Sequence, residues 1–252
     1  MKKIFSSIIC FVLIVNVWAQ NNELSTALQL KAESKYPESL AIFQQLLKSD
    51  SGNVVYLANT SILYCKMGLR QVSDAQKQTY YHKGAYLALK AIKANSNNAD
   101  AHYAYAFALG RINEFASSKQ KIANAKTIKT ECDKTLSIDA NYAGAYHIMG
   151  RWHRTIAGFS SVERFMINSF FGGVPPGGTY EDAIKSFSKA ITLEPKYILH
   201  QYELAMTYYE RDAQNDMAQV KSWCERALKC PINNVDDEGT KKKTMELLAK
   251  VK

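Results

Sequence analysis

One short frame of small and aromatic residues recurs along the chain, and it restricts the fold more than any other feature. Its clearest copy runs Tyr180-Glu-Asp-Ala183-Ile-Lys-Ser-Phe187-Ser-Lys-Ala190 and closes at Pro195. Alanines at positions 183 and 190 let a second helix come close, Phe187 fills the gap between the two, and Pro195 stops the helix. A companion follows at once, Gln201-x-x-Leu204-Ala205-x-x-Tyr208, again with a small residue where two helices would touch. The pair recurs upstream. Tyr36 to Leu46 precedes Leu57-x-x-Thr60-Ser61-x-x-Tyr64, and Gly84-x-x-x-Ala88-x-x-Ala91 precedes His102-x-x-Tyr105-Ala106-x-x-Leu109. Ile128-x-x-x-Cys132-x-x-Thr135 then precedes Tyr146-x-x-Met149-Gly150-x-x-His153, and Val220-x-x-x-Cys224-x-x-Ala227 ends at Pro231.

This is the pattern of a tetratricopeptide repeat, a helical hairpin that buries its apolar face only by stacking on the next copy. The sequence therefore predicts an all-α fold, a right-handed α-solenoid of about five tetratricopeptide-like hairpins, with Lys241–Lys252 as a terminal capping helix. Equivalent first-helix positions are Glu23, Leu57, His102, Tyr146 and Gln201, giving separations of 34, 45, 44 and 55 residues. A plain repeat takes about 34 residues, so three copies carry surplus length between their two helices. An excess near eleven residues is about three helical turns. Shared between the two helices, it would make hairpins two and three taller.

The largest surplus covers residues 154–179 and contains Phe165-Met-Ile-Asn-Ser-Phe-Phe-Gly-Gly-Val-Pro-Pro-Gly-Gly178. Thr155 to Phe171 can continue the preceding helix, and the glycine and proline run is its return loop. Phe159, Phe165, Met166, Phe170 and Phe171 then sit near the hairpin tip. Packing against the other tall hairpins is the first expectation for them; facing a ligand or a membrane is the second.

The start of the chain reads differently. Lys2 and Lys3 precede an apolar run from Ile4 to Val17, and Val17-Trp18-Ala19 gives way to polar Gln20-Asn21-Asn22. That is the layout of a secretory signal peptide over residues 1–19, leaving residues 20–252 as the repeat domain. Without those two lysines the net charge falls from +9 to +7. So modest and mixed an excess makes a solvated surface, and with no basic run nucleic acid is not expected as a partner. Cys65, Cys132, Cys224 and Cys230 are too scattered for a disulfide framework and are expected as buried thiols.

The segment Ala145-Tyr-His-Ile-Met-Gly150-Arg-Trp152, a long insert carrying Pro175-Pro176, and then Thr179-Tyr-Glu-Asp-Ala-Ile-Lys-Ser-Phe187 resemble the regulator of microtubule dynamics family over residues 25–252. The resemblance implies a tetratricopeptide-like domain of this size. Eukaryotic members are associated with microtubules, and some with organelle membrane contacts and lipid binding. A signal peptide directly before the repeats departs from that pattern and makes this chain an exported, periplasmic or envelope-associated bacterial relative, out of reach of cytosolic tubulin.

No catalytic constellation stands out: there is no His-Glu-x-x-His, Gly-x-Ser-x-Gly or P-loop, so no enzyme, cofactor or metal is expected. Binding is the better expectation, because first helices line the concave face of such arrays. Counting in the repeat frame aims Ala58, Ile62, Cys65 and Lys66 at the groove from the second hairpin. Tyr103, Phe107 and Arg111 follow from the third, and His147, Arg151 and Arg154 from the fourth. Tyr202, Met206, Tyr209 and Glu210 follow from the fifth. A cationic centre flanked by aromatic and apolar groups suits a protein or peptide with an anionic end, since guanidinium binds carboxylate or phosphate through paired hydrogen bonds. A lipid or other amphiphile, with residues 155–178 as lid or membrane contact, is the alternative. The arginines have a competing use, pairing with Glu163, Glu181 or Glu210. Asn59 sits where a carboxylate-clamp asparagine would, but Ala58 and Ile62 replace its basic neighbours. Oligomeric state is left open.

Overall fold

The computed structural model describes residues 22–251, so the expected signal peptide lies outside the described residues. Every described element is helical. A first helix, α1, covers residues 22–32. It is followed by α2 (Tyr36–Ser49), α3 (Val54–Gly68), α4 (Asp74–Ala94), α5 (Ala99–Ile112) and α6 (Ser118–Ile138). Then come α7 (Ala143–Ala157), α8 (Ser161–Phe170), α9 (Tyr180–Leu193), α10 (Ile198–Arg211), α11 (Asp216–Lys229) and α12 (Asp237–Ala249). The hairpins are α1/α2, α3/α4, α5/α6, α7/α9 and α10/α11, an α-solenoid in the frame the repeats set, and α12 packs on α10 and α11 as a cap.

The small residues of the repeat do what the frame requires. Ala183, Phe187 and Ala190 are fully buried. A Cβ built on Gly150 would stand 2.7 Å from the Phe187 ring, so α7 and α9 approach at a distance only glycine permits there.

The surplus length is distributed differently from the expectation. Helices α4 and α6 have 21 residues each, against 14 in α2, α9 and α11, while α3 and α5 keep 15 and 14. The second helices alone are lengthened. Ser73 and Ser117 explain this: their side chains accept from the backbone N–H of Gln76 and Gln120 and start α4 and α6 after connections of only five residues.

The insertion is corrected too. Of residues Thr155 to Phe171 only Thr155 to Ala157 continue α7, which stops there. Ser160 and Glu163 form a reciprocal capping box and open the separate helix α8. The return loop then carries positive φ at Gly172, Gly173, Gly177 and Gly178, a conformation open to glycine. Of the apolar residues at this tip, Phe159 packs into the core beside Ile156 and Trp152. Phe165, Met166 and Phe170 remain exposed instead of folding onto neighbouring hairpins.

The array curls until its ends meet. Asp236, between α11 and α12, lies 3.3 Å from Arg70 and 3.9 Å from Lys66 on α3. Arg70 also stacks over Tyr36, 4.3 Å from its ring centre.

Candidate binding groove

The inner wall is built by α3, α5, α7 and α10. Among the residues aimed at it from the sequence, Ala58, Ile62 and Cys65 are buried between helices, with Cys65 lying against Gly84. They line no groove; one step around the helix from the groove face points into the α3–α4 seam. Burial pushes the Cys65 thiol up to about 12. Lys66 does face inward, within 6.0 Å of the Phe107 ring and 5.8 Å of Tyr36. Asn59 is used internally, accepting from Lys31 at 2.6 Å and donating to the Val55 carbonyl at 2.9 Å.

Tyr103 and Phe107 stack nearly parallel, with ring centres 5.9 Å apart, and Tyr103 meets Tyr142 at 4.7 Å. Tyr142 is held by a hydrogen bond to Asp100 of 2.6 Å. Along the same wall the Arg111 guanidinium lies 5.5 Å from the centre of the Phe107 ring and pairs with Glu114 at 2.8 Å. The Nε of Arg111 is buried with no hydrogen-bond partner among the described residues.

The three arginines have divided roles. Arg154 is consumed by the fold: its Nη1 donates to the Glu203 carbonyl at 3.0 Å, and its Nη2 lies 2.6 Å from Glu203 Oε2. Oε2 has no hydrogen-bond partner among the described residues, so that second contact is one of charge. Glu210 adds a further pair with Arg154 at 3.4 Å, and burial raises the Glu210 carboxyl above its usual range. Arg151 is different. Its nearest carboxylate oxygen, on Glu203, is 3.9 Å away, and 45% of its side chain stays accessible. Yet burial, followed by the opposing pull of Glu203 and the repulsion of Arg111 and Arg154, leaves its pKa below the ordinary range. A group both desolvated and reachable lines a concavity, and here it is a guanidinium with most of its donors unused.

Sequence reasoning missed the partners behind this wall. His147 Nδ1 lies 2.9 Å from His200 Nδ1, and His200 Nε2 lies 2.9 Å from Glu194. Burial first, then His200 and the three arginines, hold His147 well below its normal pKa. Both the histidine pair and the Glu203 contacts span α7 and α10, a proximity that repeat spacing implies without specifying register. Tyr202, Met206 and Tyr209 pack beside Leu248 and Val251 at the capping end. They extend the wall toward α12, and Tyr202 remains near enough to Arg154 to feel its charge. Among the described residues, no group of three His, Cys, Asp or Glu side chains could hold a metal ion. No helix there is long and apolar enough to cross a membrane. A second concavity of about 450 Å³ opens where the added turns of α4 and α6 overhang α5, lined by His82, Leu89, Tyr105, Phe115 and Gln120 among others.

A family model described as regulator of microtubule dynamics protein 1-3 matches residues 23–252. The chain is 25% identical over 229 residues to regulator of microtubule dynamics protein 1 of Bos taurus, which covers 91% of this chain and 67% of that protein. The Mus musculus protein of the same name is 26% identical over 238 residues, covering 93% of this chain and 76% of its own length. Among solved structures, a thermophilic TPR protein of Thermus thermophilus superposes with a TM-score of 0.66 at 14% identity, over 91% of this chain and 99% of that one. A likeness at that identity bears on the fold alone.

Proposed function

This chain belongs to the regulator of microtubule dynamics protein 1-3 family, and from that premise we propose that it is a non-catalytic scaffold that binds a protein or peptide in the concave groove. Arg151 is the observation that carries the reading. It is the guanidinium of the inner wall whose side chain stays accessible and whose one carboxylate contact among the described residues is long. Beside it the stacked Tyr103 and Phe107 offer an aromatic surface to an apolar body. Together they fit a ligand with an anionic end, gripped by paired hydrogen bonds. Arg111 lends positive potential, His147, held below its normal pKa, lends shape, and Arg154 positions Glu203.

The relatives are named for microtubule dynamics. The expected signal peptide over residues 1–19 favours an exported location and therefore a partner of the cell envelope. N-terminal sequencing of the mature protein tests that location: a chain beginning after Ala19 supports it, and one retaining Lys2 and Lys3 opposes it.

Affinity capture from native envelope, reading both proteins and lipids, tests the groove. Wild-type protein is expected to recover one protein partner that Arg151→Glu fails to recover. Recovery of a bound lipid, lost on the same substitution, would replace the protein reading with the amphiphile reading. If Arg151→Glu leaves the captured set unchanged, the groove is not the site.

A further inference from the structure

Helix α8 presents a stripe of large apolar side chains to solvent. Val162, Phe165, Met166 and Phe170 are 72, 67, 44 and 65% exposed, and their spacing sets them on one helical face. Single exposed apolar residues are ordinary on a protein surface, whereas four on one short helix are not. The helix is also fixed in orientation. Ile167 is buried on the opposite side. The Arg164 guanidinium donates to the carbonyls of Ile156 at 2.6 Å and Phe159 at 3.2 Å, tying α8 to the end of α7. The apolar face is held outward.

Cations stand alongside. Lys126 of α6 donates to the Gly172 carbonyl at 2.8 Å, which joins α6 to the chain just beyond α8. Residues 118–130 of α6 hold Lys119, Lys121, Lys126 and Lys129 and no carboxylate. Lys129 pairs with Asp133 at 2.7 Å, while Lys119, Lys121 and Lys126 are exposed and make no ion pair among the described residues. The start of α6 and the whole of α8 share one edge of the array, because both follow the far ends of first helices.

We propose that this edge docks on an anionic lipid surface. Helix α8 lies in the interfacial plane with Val162, Phe165, Met166 and Phe170 among the acyl chains, and Lys119, Lys121 and Lys126 meet the headgroups. A short amphipathic helix beside unpaired lysines is the arrangement that interfacial binding uses. The patch is small for a protein partner. Its four side chains expose roughly 450 Å² at the size of such groups, against about 800 Å² per partner in a stable protein interface. The proposal is independent of what fills the groove.

The test is flotation of the chain from Gln20 onward with vesicles of phosphatidylcholine alone and of phosphatidylcholine with phosphatidylglycerol. Leaving out residues 1–19 keeps the apolar run from Ile4 to Val17 from carrying every variant to the vesicles by itself. Wild type is expected to bind the phosphatidylglycerol vesicles, and the double variant Phe165→Ser/Phe170→Ser to partition about tenfold less, from the apolar area withdrawn. Lys119→Glu/Lys121→Glu is expected to lose about thirtyfold or more on anionic vesicles, from about 1 kcal/mol for each basic residue near such a surface, and nothing on neutral ones. All these positions are exposed, so circular dichroism and melting are expected to stay at wild-type values. Equal flotation of wild type and both double variants would overturn the proposal. So would a vesicle-free dimer, seen by light scattering and abolished by Phe165→Ser/Phe170→Ser, which would make a second copy the occupant.

Discussion

Replacing Phe187 by alanine probes the joint on which the fourth hairpin turns. The ring is fully buried and fills the space over Gly150, where a Cβ would come within 2.7 Å of it. It also supports the groove from behind, with His147 edge-on at 5.7 Å and the Arg154 guanidinium 5.9 Å from its centre. Truncation removes a phenyl ring from between two backbones that the other side chains of α7 and α9 hold apart, so the space cannot simply close. A buried phenylalanine cut to alanine costs about 3–5 kcal/mol. For a chain of this length that corresponds to a melting point lower by roughly 6–20 °C. Phe187→Leu keeps most of the volume and is expected to cost under about 1.5 kcal/mol. Urea unfolding followed by circular dichroism measures both, with m-values compared in case the array begins to melt hairpin by hairpin. A loss below about 1 kcal/mol for Phe187→Ala would refute the reasoning, because the ring would then be dispensable to the α7–α9 contact.

Three further outcomes follow from the same coordinates. Arg154→Met strands the buried Glu203 carboxylate and is expected to cost about 3–5 kcal/mol in urea unfolding, whereas Arg151→Met, at an accessible position, is expected to stay within about 0.5 kcal/mol. His147 is held below its unfolded pKa, so the unfolded chain takes up the proton first. Stability is therefore expected to fall as pH drops below about 6.5, by up to about 1.4 kcal/mol per pH unit for that proton, and the loss is expected to be shallower in His147→Leu. Among Cys65, Cys132, Cys224 and Cys230, the first three are buried and the last is partly exposed. A thiol reagent at about pH 8 is therefore expected to modify Cys230 natively and the others only after unfolding, which mass spectrometry of the labelled peptides resolves.

The repeat frame was legible because it rests on residues whose size alone decides a contact. Ala183 and Ala190 at the seams, Phe187 as a gap filler and Gly150 as a close-contact position could be placed from the sequence, while the meeting of Gly150 with Phe187 belongs to the structure. Where the extra length would go was legible in principle, since Ser73, Ser117 and the pair Ser160 and Glu163 are helix-start signals in plain view. The even split between helices failed because those caps fix where each second helix begins. The groove was legible as a face but not as a network. Helical spacing puts Arg151 and Arg154 three apart, but only the register of α10 against α7 decides that Arg154 takes Glu203 while Arg151 does not. Likewise, His200 lay outside the groove-facing set, and its meeting with His147 depends on side-chain reach across a helix pair.

The groove itself is tested most directly by photocrosslinking. Benzoylphenylalanine at Phe107 stands on the inner wall beside Tyr103 and Arg111, and at Leu89 it stands in the separate concavity over α5. Groove binding predicts that irradiation in native envelope yields an adduct of defined mass from position 107, suppressed by Arg151→Glu, and none from position 89. An adduct from position 89 alone, or one from position 107 indifferent to Arg151→Glu, would contradict it.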